Sequence, residues 1–269
     1  MTKDEANNIG KCIESLGGVA EIFVVDSGST DGTQQIASDL GARVVNFRWN
    51  GQYPKKKQWC LENLPFRNDW VFYVDADEEA TPELLREIRE RVDKPTASGY
   101  FVGYDYLFDG KILRHGQRAY KLVLFDRHRG RFEPYDDLDA SNMWEVEGHY
   151  QPVIDGPVAT LKSPMLHKDH DSLYHYFDRH NRYSDWEAVV RSRNQYATGA
   201  ESQLSGRGRM KEIFDRLPLK APAAFAYSYF LKLGFLDGRA GLNFALARAF
   251  YYWQIDIKSE ELRRTKAND

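Results

Sequence analysis

Over the first half of the chain, apolar positions fall in short runs separated by polar, glycine-marked segments; in the second half they recur at helical spacing. Ile9, Cys12, Ile13 and Leu16 predict a helix over 4–16, stopped by Gly17-Gly18. The run Glu21–Val25 reads as a short buried strand and opens into the polar loop Asp26-Ser27-Gly28-Ser29-Thr30-Asp31-Gly32-Thr33. A helix over 33–40, a strand over 42–46 and a helix over 55–63 follow. The strand 70–74 then runs directly into Asp75-Ala76-Asp77-Glu78-Glu79. Thr81-Pro82-Glu83 is a helix start, and that helix reaches about Val92. Strands alternating with helices predict an α/β domain with a largely parallel sheet. Residues 98–135 turn β-rich, with the clearest strands at 100–106 and 121–125. From about residue 170 the pattern is helical, over 171–192, 210–217, 222–233 and 240–253, with the glycine-containing stretch 197–209 as a linker.

Composition narrows the function classes. The chain has 269 residues with 42% hydrophobic and 29% charged, which fits a folded protein and excludes global disorder. Net charge is −3, against a dedicated nucleic-acid binder. It is unevenly spread: residues 1–200 hold 25 Lys+Arg against 32 Asp+Glu, whereas 201–269 hold 12 against 8, so the second region suits an anionic neighbour. Two cysteines, Cys12 and Cys60, build neither a disulfide framework nor a Cys-rich zinc site, and a reducing compartment is expected. The start of the chain shows no signal-peptide pattern, and no run of about 18 uncharged apolar residues predicts a membrane span.

The chemistry-bearing positions lie at strand ends. In open α/β sheets ligands bind beyond the carboxyl ends of the strands, and Asp26 and the pair Asp75/Asp77 stand there. An Asp-x-Asp turn offers hard oxygen donors suited to Mg²⁺ or Mn²⁺ bound together with substrate phosphates. The same residues also serve as ordinary turn and helix-cap residues, so one Asp-x-Asp by itself is a weak signal.

Several motifs in order and spacing carry a stronger signal: Thr2-Lys3-Asp4-Glu5-Ala6-Asn7-Asn8-Ile9, Val24–Thr33 and Asp75-Ala76-Asp77-Glu78. With Trp49-x-Gly51, Lys57-Gln58, Leu161-x-x-Pro164-x-x-His167, Arg182-Tyr183-Ser184 and Gly234-Phe235-Leu236-Asp237-Gly238-Arg239-x-Gly241, they span nearly the whole chain. In these features the sequence resembles a family 2 glycosyltransferase of the GT-A fold, in particular the lipopolysaccharide-core β-glucosyltransferase group. The resemblance implies a Rossmann-like mixed sheet over residues 1–165 as the nucleotide-sugar-binding catalytic domain. Residues 166–269 would form a helical, acceptor- or membrane-facing region. Members of that group carry an apolar strand just before the Thr-Lys-Asp-Glu element, whereas here Met1 directly precedes Thr2.

The same resemblance assigns roles. Thr2, Glu5, Asp26 and Ser27 would line the nucleotide pocket, Asp75 would lie by ribose and metal, and Asp77 would ligate the metal. His167 falls where related enzymes place a late histidine beside metal or diphosphate. Developing charge on a nucleoside diphosphate leaving group must be neutralised; Lys57, Arg179 and Arg182 are the basic candidates, the two arginines sharing one helical face at i, i+3. Pairing of those arginines with Asp178 or Asp185 on a surface helix is the competing reading. Inverting transfer needs a general base. The candidates are Asp136, Asp137, Asp139, Glu145 and Glu147; in the register that the resemblance implies, Tyr150 holds the expected carboxylate position, and Glu147, then Glu145, is the favoured substitute.

The implied activity is transfer of a hexose from a nucleotide sugar, UDP-linked, to a lipid-linked or lipopolysaccharide or exopolysaccharide acceptor. The apolar helices 222–233 and 240–253 either pack on the catalytic domain or lie on an anionic membrane. In the second case Phe225, Tyr229, Phe230, Tyr251, Tyr252 and Trp253 would sit at the interface, with Lys232, Arg239 and Arg248 near phosphates. The protein is then expected on the inner face of the cytoplasmic membrane. Competing classes are a non-catalytic nucleotide-sugar binder or membrane scaffold, and a nucleotidyltransferase, which the absence of a Gly-rich, Lys-containing phosphate loop disfavours.

Overall fold

The structure, a computed structural model, describes residues 1–134, 136–140, 151–168, 172–193 and 219–268. The chain divides into two compact units: Met1–Leu107, Ala119–Phe132 and Pro152–His170 form one, and Phe108–Arg118, Glu133–Gln151 and Asp171–Asp269 the other.

The elements run α1 (Ile9–Ser15), β1 (Phe23–Asp26), α2 (Thr33–Asp39), β2 (Arg43–Asn46), α3 (Lys56–Asn63), β3 (Trp70–Phe72), β4 (Glu78–Ala80) and α4 (Pro82–Asp93). They continue with β5 (Gly99–Phe108), β6 (Lys111–Ile112), β7 (Tyr120–Asp126), β8 (Gly130–Arg131), β9 (Val153–Ile154), β10 (Val158–Thr160), β11 (Met165–His167) and α5 (Leu173–Ser192). β1 and β2 pair in parallel, while the larger sheet is ordered β3-β7-β5-β11-β4 with β10 added on β5. The expectation of a largely parallel sheet is corrected. β7 runs antiparallel to both β3 and β5, and β11 is antiparallel to β4 but parallel to β5. No crossover helix lies between β5 and β7, so the chain returns beside its predecessor in the opposite sense.

The first helix is also shorter than its periodicity predicts. It begins at Ile9 rather than residue 4, because Asp4 takes a left-handed φ of 54° and the amides of residues 4–6 bond to the loop after β1. Part of the acidic stretch read as loop is the strand β4. Ala76 packs into the core formed by Ile9, Ile13, Val24, Ala37 and Ala42, while Asp75 and Asp77 on either side of it stay partly exposed. An inward alanine anchors two outward carboxylates.

The main core gathers Leu84, Leu85 and Ile88 of α4 with Tyr100, Val102, Tyr104, Leu124 and Met165 of the sheet. The predicted cap of α4 is present: Thr81 Oγ1 accepts from Leu84 N at 3.1 Å and donates to Pro164 O at 3.1 Å, with Pro82 at the first helical position. One hydroxyl thus fixes both the helix start and the approach to β11.

The second unit contains α5, the short helix Lys220–Ala226, a π-helical turn over Tyr227–Leu231, a 3₁₀ turn over Gly234–Asp237 and a long helix Gly238–Asn268. The single helix predicted over 222–233 is therefore broken, and the one predicted over 240–253 continues well past it. The Gly234–Gly241 motif has a packing role here. Buried Asp237 accepts from the amides of Arg114 (3.0 Å) and His115 (2.7 Å), and a Cβ on Gly241 would lie 2.0 Å from Gly234 O. Tyr251 is not at a surface as expected: it is buried, with its hydroxyl donating to Glu187 at 2.5 Å. Phe225 and Tyr229 are half-buried and stack on each other, whereas Phe230 and Trp253 are exposed. Among the described residues no helix is long and apolar enough to cross a membrane. The predicted linker 197–209 and helix 210–217 lie outside the described residues.

Candidate active site

Two acidic turns leave neighbouring strand ends of the first unit. Thr2 forms a parallel bridge with Asp26; its amide donates to Val25 O at 3.1 Å and its carbonyl accepts from Ser27 N at 3.0 Å. The Met1 amino group donates to Val74 O at 2.8 Å. Residues 1 and 2 therefore bridge the end of β1 to the residue before Asp75, and the carboxylates expected to share a site do emerge beside one segment.

The turn after β1 is held by its own carboxylates. Asp26, fully buried, accepts from Gly28 N (2.9 Å), Ser29 N (2.8 Å) and Gln34 Nε2 (2.6 Å), and from the Ser29 hydroxyl. Burial alone would raise its pKa; the hydrogen bonds from Ser29, Gln34 and Gly28 outweigh burial and hold it below the usual range. The two N-terminal motifs then clasp one another. Asp4 N donates to Ser29 Oγ at 2.7 Å, Thr30 N to Asp4 Oδ1 at 2.8 Å, Glu5 N to Thr33 Oγ1 at 2.8 Å and Ala6 N to Asp31 Oδ2 at 2.9 Å. Glu5 additionally accepts from Asn8 Nδ2 at 2.8 Å. The co-occurrence of the two motifs is thus one interlocked structure.

The turn after β3 is held differently. Lys121, on β7, places Nζ 2.9 Å from Asp75 Oδ2 and 2.8 Å from Glu78 Oε1, and 4.9 Å from the centre of the Tyr104 ring. Glu78 is buried, and its Oε2 accepts from Asp75 N at 3.0 Å and lies 3.5 Å from the Tyr104 hydroxyl. Burial disfavours the Asp75 carboxylate, but the Lys121 ammonium, then that of buried Lys57, outweighs it and drives the pKa well down. Glu78 shifts up, chiefly through burial, with Lys121 opposing. For Lys121, burial is outweighed by Asp75 and Glu78, which push its pKa well up and keep it charged.

His167 arrives through strand register. β11 pairs antiparallel with β4 so that His167 stands opposite Glu78, and parallel with β5 so that it stands opposite Tyr106, ring centres 5.0 Å apart. Its Nε2 is 3.3 Å from Asp77 Oδ2. Asp77, Glu78 and His167 offer ligand atoms all within 4.8 Å of one another, a set able to hold a divalent cation. His167 Nδ1 and Thr2 Oγ1 are buried with no hydrogen-bond partner among the described residues.

Of the residues singled out in the sequence, Thr2, Glu5, Asp26, Ser27, Lys57, Asp75, Asp77 and His167 lie in the first unit. Arg179 and Arg182 lie on α5 of the second unit, where Arg182 is ion-paired with Asp178, while Asp185 pairs with Lys258 at 2.5 Å. Glu145 and Glu147 lie outside the described residues. Sequence reasoning did not single out Glu78, Lys121 or Tyr104 as site residues. The available signal was a lone lysine heading the apolar run Leu122–Phe125, a position where a buried strand otherwise admits no charge.

The family model for glycosyl transferase family 2 matches residues 1–152. The chain belongs to glycosyltransferase family 2. The lipopolysaccharide core biosynthesis glycosyltransferase LpsC of Rhizobium meliloti is 31% identical over 89% of this chain and 81% of its own length. An uncharacterized glycosyltransferase of Rickettsia conorii is 45% identical over 100% of this chain and 92% of its own. Among solved structures, Staphylococcus aureus TarS 1–349 is similar at 13% identity with a TM-score of 0.44, covering 98% of this chain and 90% of that one. In this glycosyltransferase the Asp77–Glu78–His167 cluster lies in the first unit, at the start of β4 and the end of β11.

Proposed function

We propose that this glycosyltransferase moves a hexose from a UDP-linked sugar onto a lipid-linked or lipopolysaccharide-type glycan with inversion at the anomeric carbon. One observation carries the reading: Asp77 and His167 converge within 3.3 Å at one strand end, beside the Asp75–Lys121–Glu78 network. A Mg²⁺ or Mn²⁺ ion held there by Asp77 and His167 would supply charge neutralisation for the diphosphate leaving group. Thr2, Glu5, Ser27 and the loop shaped by Asp26 receive the nucleotide, and Asp75 faces the ribose, oriented by Lys121. Lys57 adds positive potential at that end of the sheet. Glu147, or Glu145 in its place, takes the proton from the acceptor hydroxyl, and Arg179 and Arg182 steady the departing diphosphate. The name of LpsC supports a lipopolysaccharide-type acceptor.

The second unit meets an anionic membrane surface in this reading. Support comes from exposed Leu246, Phe250, Trp253 and Ile257, which recur at helical spacing along one face of the C-terminal helix, and from exposed Phe230 and Leu231 beside Lys232. Catalysis is tested by release of UDP from UDP-sugars. Asp77→Ala should lower turnover on the order of 10²-fold or more, and Glu147→Gln should abolish turnover while retaining UDP-sugar binding. Full turnover in Asp77→Ala refutes the metal site. Membrane attachment is tested by co-sedimentation with vesicles containing phosphatidylglycerol, which Leu231→Ser combined with Trp253→Ser should reduce.

A further inference from the structure

Three potential ligands stand around one point, but they are not equally free to ligate. Glu78 is 1% exposed and engaged through both oxygens: Oε1 with Lys121 Nζ at 2.8 Å, Oε2 with Asp75 N at 3.0 Å and the Tyr104 hydroxyl at 3.5 Å. Asp77 and His167 have side chains 20% and 19% exposed, with His167 Nε2 3.3 Å from Asp77 Oδ2. Lys121 is itself clamped between two carboxylates over an aromatic face. Turning Glu78 toward an incoming cation would strip Lys121 of one counter-charge and the Asp75 amide of its acceptor, both costly in a buried site.

We propose that Lys121 is a positioning residue that holds Glu78 out of the metal's coordination shell, so that Asp77 and His167 are its only ligands from this cluster. This rests on the reading of Asp77 and His167 as metal ligands. A six-coordinate Mg²⁺ or Mn²⁺ with two ligands from the cluster leaves about four positions to phosphate oxygens and water. Binding of the cation is therefore weak until the nucleoside diphosphate is present. Lys121 neutralises the surplus acid and makes the metal and the donor arrive as a pair.

The experiment measures Mn²⁺ binding to the full chain by electron paramagnetic resonance of free Mn²⁺, with and without UDP. In the wild type UDP should tighten Mn²⁺ by about tenfold or more, and Glu78→Gln should leave both affinities unchanged. Lys121→Met should free Glu78 and raise Mn²⁺ affinity in the absence of UDP by about tenfold, a gain absent from the Lys121→Met/Glu78→Gln double variant. If Lys121→Met does not fold, Glu78→Gln decides alone. Weakened Mn²⁺ binding in Glu78→Gln with UDP present makes Glu78 a ligand and overturns the role of Lys121, leaving the metal site standing. Equal Mn²⁺ affinity of Lys121→Met and the double variant overturns it as well. No saturable Mn²⁺ binding to the wild type with UDP overturns both the metal site and this inference.

Discussion

Asp26 and Asp75 both follow strands next to residues 1 and 2, yet the first is satisfied by donors within eight positions of itself and the second by a lysine 46 positions away. The turn after β1 is closed by neutral donors: amides and hydroxyls of the Asp26–Thr33 loop and the Ala6 amide consume its carboxylates. The turn after β3 borrows its counter-charge from β7 and keeps Asp77 and His167 partly exposed. Hydrogen-bonded neutral donors fix shape, whereas a long-range ion pair leaves neighbouring groups available for a second cation. Shape belongs to the first turn and chemistry to the second.

Removing one partner from each turn separates the two modes. The largest effect is expected for Lys121→Met, which leaves Glu78 and Asp75 without their cation and should cost about 3–5 kcal/mol in denaturant unfolding, with much of it restored when Glu78→Gln is added. A loss below about 1 kcal/mol would mean that this pair is no more than a surface bridge. Asp26→Ala removes several charge-assisted hydrogen bonds at once and should cost about 2 kcal/mol. Its accompanying signature is a fall in UDP affinity without loss of Mn²⁺ binding in the presence of saturating UDP. Equal damage to both ligands would erase the distinction between the turns.

The smallest effect is the pH response of the first turn. Because the folded pKa of Asp26 lies below its ordinary 3.8, its stabilising contribution is complete above that pH and is lost as pH falls through the folded value. The protection of the Gly28 and Ser29 amides relative to their intrinsic exchange rates, read by nuclear magnetic resonance, should therefore fall progressively in acid below about pH 4. Protection that stays constant down to the acid unfolding of the whole unit would show that the loop does not depend on that carboxylate.

Much of this was legible in the chain order of residues. The Thr81-Pro82 start of α4 was read from local chemistry that needs no distant partner, and the structure shows that cap. The bonds of Asp26 to Gly28, Ser29 and Gln34 are likewise local. The start of α1 was misplaced because periodicity extends back to residue 4, while the amides of residues 4–6 are claimed by Ser29, Asp31 and Thr33, over 20 positions away. Of the two readings of the helix over 240–253, packing holds at Tyr251, which is buried with its hydroxyl donating to Glu187, 64 positions away.

The sequence by itself determined that two strands end in carboxylates, that an alanine separates Asp75 from Asp77, and that the motif set is that of a family 2 glycosyltransferase. Only the tertiary structure decided which acids are spent and which remain available. Register between β11 and β4 sets His167 across from Glu78, and β7 carries Lys121 to Asp75 and Glu78. Neither pairing leaves a local trace, because a carboxylate's availability depends on which donors reach it through space, and those donors come from strands that the fold, not the neighbouring residues, brings alongside.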